Sequence, residues 1–240
     1  MGIGTVINVV AIFFGTAIGK LSGNKFSERT RNLLTDILGI VTMISAASAL
    51  FSLWDADLVT QLPDGGPILV ILAALILGGL IGSWLNLEGR LEGIGESLKR
   101  RFDSGESTFV EGFVTASLIF VIGPLAILGS ISDGMGSGID QLLLKSILDF
   151  FASIAFAAAL GWGVAFSALP VGIYQGVWTV IGLGLGSILS DYQVLAMTAT
   201  GGVLLVGIGL KLLRIKDIAI GNLLPALALA PIIATLAAKI

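Results

Sequence analysis

Long apolar runs separated by short polar stretches dominate this chain. Runs such as Ile68 to Leu80 show no alternation, which sets aside the alternating ten-residue strands of a membrane β-barrel. A helix needs about 20 apolar residues to cross a hydrocarbon core about 30 Å thick. Eight segments meet that requirement: about Gly2 to Leu21, Asp36 to Trp54, Pro67 to Leu87, Phe109 to Ser130, Asp140 to Gly163, Gly172 to Leu189, Tyr192 to Leu210 and Ile218 to Ala238. Gly123-Pro124 interrupts the fourth, and Pro170 precedes the sixth. The pattern predicts an all-α, polytopic transmembrane bundle of about eight spans, with residues 1–240 as a single transmembrane domain.

Composition agrees. Of 240 residues, 55% are apolar and 12% charged, against about a quarter charged in soluble domains. Thirteen basic against 16 acidic residues leave a net charge of -3, which argues against nucleic acid as a partner. The chain has no Cys and no His, so thiolate chemistry and the commonest general base and metal ligand are missing. We expect no enzyme, no cofactor and no metal. Met1-Gly2-Ile3-Gly4 enters an apolar run without a preceding positive charge, so the opening segment reads as a first span rather than a cleaved signal.

Charge orients the spans. Lys20, Lys25, Arg29 and Arg31 follow the first; Arg90, Lys99, Arg100 and Arg101 follow the third; Lys211, Arg214 and Lys216 follow the seventh. The 55–64, 131–138 and 190–191 connections hold Asp but no Lys or Arg. Because cytoplasmic loops carry the excess of Lys and Arg, eight crossings with both termini outside satisfy every cluster. Residues 88–107 then form an amphipathic cytoplasmic segment along the inner surface.

Asn8, Gly15 and Gly19 of the first span recur at the same intervals as Gln175, Gly182 and Gly186 of the sixth. This suggests an inverted repeat, spans one to three (1–87) and six to eight (171–240), around a central hairpin of spans four and five (108–170). Inverted repeats mark many secondary transporters. Glycine-rich helices also produce such spacings without a repeat, and 33 residues here are Gly.

Charged groups at mid-membrane cost at least about 2.5–3.5 kcal/mol each. Lys145 and Asp149 share one face of the fifth span, either as an ion pair locking the hairpin or as a cation or proton site. The fourth span brings Glu111, Thr115 and Ser117 toward Gly123-Pro124, where proline breaks the backbone ladder. Broken helices at mid-depth are where transporters place their substrates; a simple kink is the alternative. Ser130, Ser132 and Asp133 fall at the outer mouth. Asn8, Gln175 and Asn222 are amides within spans, able to bridge helices with or without a ligand.

The run Glu111-Gly112-Phe113-Val114-Thr115-Ala116-Ser117-Leu118, then Gly123, Gly129-Ser130, Gly134 and Lys145-Ser146 through Asp149, resembles an uncharacterised bacterial membrane family, domain of unknown function 554, or YqgA-like. Gly4-Thr5, Asn8, Gly15, Gly161 to Gly163, Tyr174-Gln175-Gly176 and Asn222-Leu223-Leu224-Pro225 extend the resemblance over nearly the whole chain. Gly123-Pro124-Leu125 departs from it, since small or sulfur-containing residues are expected after that Gly. The resemblance implies a multi-pass protein of the bacterial inner membrane with a role in transport, and no substrate.

These readings converge on a small secondary transporter for an ion or small polar solute. Its lining would be Asp149, Lys145, Glu111, Ser117, Gly123 and Pro124, faced by Asn8, Gln175 and Asn222. A channel or a non-transporting oligomeric scaffold are the alternatives. The expected partners are the bilayer, a small-molecule or ion substrate and a second copy in a homodimer.

Overall fold

The computed structural model describes residues 1–23, 26–102, 104–185 and 189–239. Lys25 of the first basic cluster and Gly186, the expected counterpart of Gly19, lie outside these residues. Every regular element among the described residues is helical. Helix α1 is Ile3–Gly23 and α2 is Glu28–Leu50, extended by a tight turn at Phe51–Trp54. A short α3, Ala56–Gln61, leads into α4, Gly66–Trp84, and α5, Leu87–Arg101. Then follow α6 (Phe109–Val121), α7 (Pro124–Met135), α8 (Asp140–Leu160), the single turn α9 (Gly163–Phe166) and α10 (Ala168–Leu185). Helix α11 is Asp191–Leu212, and a tight turn at Ile220–Leu223 precedes α12, Pro225–Ala237. The second helix starts earlier than its apolar run suggests: Arg29 and Arg31 belong to the first turns of α2.

Local chemistry sets the breaks. Pro67 and Pro225 stand in the first turns of α4 and α12, where proline lacks only an N–H that a helix start leaves unpaired anyway. Between α6 and α7, Gly123 takes φ +148° directly before Pro124, a conformation closed to residues with a Cβ. The two helices meet there at a 62° bend.

Among the described residues, seven helices are long and apolar enough to cross a membrane, with α6 and α7 together a further candidate. Helix direction decides how that broken pair counts. Gly4 meets Leu142, Gly15 meets Phe150, Gly19 meets Ile154 and Gly23 meets Ala158, so α1 and α8 run parallel. Gly78 meets Ala226 and Gly82 meets Asn222, so α4 and α12 run antiparallel. When each of the seven long helices crosses once, both directions require one further crossing between α4 and α8. Helices α6 and α7 together supply it, which makes eight.

The chain forms two compact units, Met1–Leu38 with Leu91–Ile188 and Gly39–Arg90 with Leu189–Ile240. In the first, α1 seats its glycines on backbone carbonyls of α8, and α10 packs on α7 through Gly182 against the Ile131 carbonyl and Gly134 against that of Thr179. In the second, α4 packs on α12 around Ala74, Ala226 and Ala230, and α2 meets α11 where Gly39 touches Leu213 and Gly202 touches Ala46. Small residues let helix backbones approach closely, which is how helices associate where lipid gives no hydrophobic drive. Large apolar side chains point outward instead: Ile68, Leu69, Ile76 and Leu80 of α4 are half to two-thirds exposed, as a lipid-facing surface requires.

Candidate functional site

The glycine stripe of α1 builds the site. A Cβ at Gly15 or Gly19 would run into the carbonyl of Phe150 or Ile154. Without one, α1 lies close enough for Asn8 Nδ2 to donate to Asp149 Oδ2 at 2.9 Å. Lys145, one turn earlier on α8, places Nζ 2.5 Å from the same oxygen. The ammonium also lies 5.9 Å from the centre of the Phe120 ring of α6, within cation–π range. Lys145 and Asp149 are each only 6% exposed, and Asn8 is fully buried.

On the helices that carry this pair, and on α10, the hydrogen bonding is incomplete. Buried hydroxyls in helices commonly return to the carbonyl four residues back, and Ser117, Ser130, Ser146, Thr179 and Thr200 all do so. Thr5, Thr16 and Ser153 do not; each hydroxyl oxygen is buried without a partner. Asn8 Oδ1 and both polar atoms of Gln175 are in the same condition, although Gln175 is completely buried. All of these residues belong to α1, α8 and α10 of the first unit. A buried polar atom without a partner costs about 1–3 kcal/mol.

The second unit holds a contrasting cluster. Glu88, at the start of α5 and 7% exposed, accepts from Gly221 N–H at 2.5 Å and from Lys211 Nζ at 3.2 Å. Lys211 also pairs with Asp217 at 3.0 Å, and Asn222 Oδ1 accepts the Glu88 N–H at 3.0 Å. No polar side-chain atom of Glu88, Lys211 or Asn222 is among the buried unpartnered ones. Among the described residues no three acidic side chains gather closely enough to hold a metal ion.

Residues 3–235 match the family described as protein of unknown function (DUF554). The chain belongs to this family. It is 30% identical over 231 residues to YdfK of Bacillus subtilis (strain 168), an uncharacterized membrane protein, covering 96% of this chain and 94% of the relative. It is also 30% identical over 243 residues to the uncharacterized protein YqgA of Escherichia coli (strain K12), covering 96% of this chain and 95% of that one. No solved structure matches it. Together with its apolar helices, this makes the DUF554 chain a multi-pass membrane protein.

Of the residues expected to line a pathway in this DUF554 chain, the structure gathers Asn8, Lys145 and Asp149, and leaves Gln175 buried and unpartnered on α10. Gly123 and Pro124 form the α6–α7 break. Glu111 is exposed in the first turn of α6, ahead of the buried stretch Gly112 to Leu118, and does not join the cluster. Ser117 is buried but commits its hydroxyl to Phe113 O at 2.6 Å. Asn222 serves the α4–α5 junction of the second unit rather than the Asp149 cluster. Asp133, expected at an outer mouth, instead caps α1 by accepting from the N–H groups of Gly2 and Gly4 at 3.0 and 2.9 Å.

Sequence reasoning missed Thr5, Thr16 and Ser153. Their signal was present: Ser153 is one turn beyond Asp149, and Thr5 and Thr16 flank Asn8 on the buried stripe of α1. Glu88 was hidden by its neighbours, since a carboxylate opening an amphipathic segment reads as a solvated charge.

Proposed function

We propose that this protein is a small, non-enzymatic secondary transporter of the bacterial cytoplasmic membrane, both termini outside, carrying an ion or small polar solute by alternating access. The observation that carries the reading is the buried Lys145–Asp149 pair bonded by Asn8, whose own Oδ1 has no partner, on helices that also carry the unpartnered hydroxyls of Thr5, Thr16 and Ser153. A merely structural ion pair needs no such surroundings. Asp149 is the central ligand and Lys145 its counter-charge when the site is empty; Asn8 orients the carboxylate. The break at Gly123 supplies a joint within the central hairpin.

An inverted repeat of α1–α2–α4 and α10–α11–α12 accompanies this proposal, supported by a glycine seated on a backbone carbonyl in each half. Gly15 of α1 seats on the Phe150 carbonyl of α8, and its mate Gly182 of α10 seats on the Ile131 carbonyl of α7. The mates Asn8 and Gln175 are both fully buried amides. A scaffold is the second reading, favoured by the closeness with which Lys145 already neutralises Asp149.

Thermal unfolding of the purified protein against a panel of ions and small metabolites, wild type beside Asp149→Asn, tests the proposal. A compound that stabilises only the wild type supports a binding site and names the solute for flux assays in proteoliposomes. If nothing shifts the wild type and the variant merely loses stability, the scaffold reading replaces the transporter.

A further inference from the structure

An apolar groove runs along the outside of the first unit and ends at a basic turn. One part, about 390 Å³, is walled by Phe13, Phe102, Phe109, Trp162 and Phe166. A second part, about 420 Å³, shares Phe13, Ala165 and Phe166 and continues along Leu169, Gly172 and Ile173 of α10. The groove is fixed to the end of α5 by aromatic packing: the Phe102 ring lies 4.7 Å from that of Phe166, which lies 5.4 Å from Phe109. Phe102 directly follows Lys99-Arg100-Arg101, the last turn of α5, where Arg100 and Arg101 are exposed. None of the three forms a salt bridge with a described residue. Nearby, Lys20 of α1 pairs with Glu106, whose carboxylate also accepts the Trp162 N–H at 2.7 Å.

A channel of aromatic and small apolar walls fits an acyl chain, and the basic turn that leads directly into the lining residue Phe102 fits a negative headgroup. Zwitterionic lipid would satisfy the walls but not the charges; a free anion would satisfy the charges but not the walls. We propose that this groove is a binding site for one anionic phospholipid, its acyl chain along Phe13, Phe166 and Leu169 and its phosphate at Lys99, Arg100 and Arg101. Trp162, 39% exposed at the groove, sits where aromatic side chains favour the headgroup boundary. The site is separate from the Asp149 cluster and does not depend on what the protein transports.

The test is native mass spectrometry of delipidated protein mixed with equal amounts of dioleoyl phosphatidylglycerol and dioleoyl phosphatidylethanolamine. Basic residues at an anionic surface contribute about five-fold each, so the wild type should retain the glycerol lipid at least about ten-fold more. K99Q/R100Q/R101Q should bring that preference close to one, while the equally charge-changing control R29Q/R90Q/K216Q, at exposed positions outside the groove lining, should leave it intact. Leu169→Trp, which fills the groove and keeps the charges, should reduce retention of both lipids. Equal retention of the two lipids by wild type, or loss of preference in both charge variants alike, overturns the proposal.

Discussion

Two buried ion pairs in one small membrane protein have opposite surroundings. Glu88 and Lys211 are enclosed by partners that finish the job: Gly221 N–H, Asp217 and Asn222 account for the charges and for the exposed start of α5. Lys145 and Asp149 are better buried, yet Asn8 beside them keeps an unpartnered oxygen, as does Ser153 one turn further along α8. Folding alone favours the first arrangement, because an incomplete polar network is worse than an apolar one. The first cluster therefore reads as a clamp on the chain; in the transporter we propose, the second is a site whose last partner arrives from outside.

The sharpest way to break that contrast is to remove one charge from each cluster. Lys145→Met leaves Asp149 as an uncompensated buried carboxylate, which costs about 3–5 kcal/mol. Lys145→Met with Asp149→Leu should recover most of the loss, because no charge then remains buried. Glu88→Gln keeps an acceptor for Gly221 and leaves Lys211 beside the exposed Asp217, so its cost should be nearer about 1–2 kcal/mol. Denaturant unfolding in mild detergent micelles measures all three. A larger loss in Glu88→Gln than in Lys145→Met would reverse the assignment of roles.

The next effect concerns how the site is assembled. Gly15→Ala pushes a methyl group against the Phe150 carbonyl and Ser153, separating α1 from α8 at a cost of about 1–3 kcal/mol. It should also stretch the Asn8–Asp149 bond and weaken any ligand-induced thermal shift. Gly93→Ala on α5 meets no atom within 4 Å and should gain about 0.5–1 kcal/mol from helix propensity. Equal behaviour of the two alanines would mean that α1 does not need its glycine stripe.

The spans were legible because hydrocarbon imposes one length on every crossing, and charge alone set an alternation that the directions of α1, α8, α4 and α12 agree with. Lys145 and Asp149 were legible because charge inside an apolar run is costly and their spacing puts them on one face. What the sequence withheld depends on which way each helix faces. Glu111 and Asp149 are both carboxylates in apolar runs, yet the first is exposed in the opening turn of α6 and the second buried along α8. Ser117 and Ser153 are both buried span hydroxyls; only the backbone bond of the first and its absence in the second tell them apart. Asn222 shares its residue type with Asn8, but it closes a helix junction in the other unit.

The smallest effect is also the most discriminating, because its sign differs between the two clusters. Asn222→Ala removes the acceptor for an N–H at the start of α5 and should cost about 1 kcal/mol, as the loss of a helix cap does. Gln175→Leu removes an amide that is fully buried and bonds to nothing. Leucine has a similar volume and no polar atom to desolvate, so the change should raise stability by about 1 kcal/mol while abolishing ligand-induced shifts. Gain of stability with loss of binding is the expected signature of a functional position. Should Gln175→Leu lose stability as Asn222→Ala does, the glutamine is bonded in the folded protein, and the contrast between a finished clamp and an unfinished site disappears.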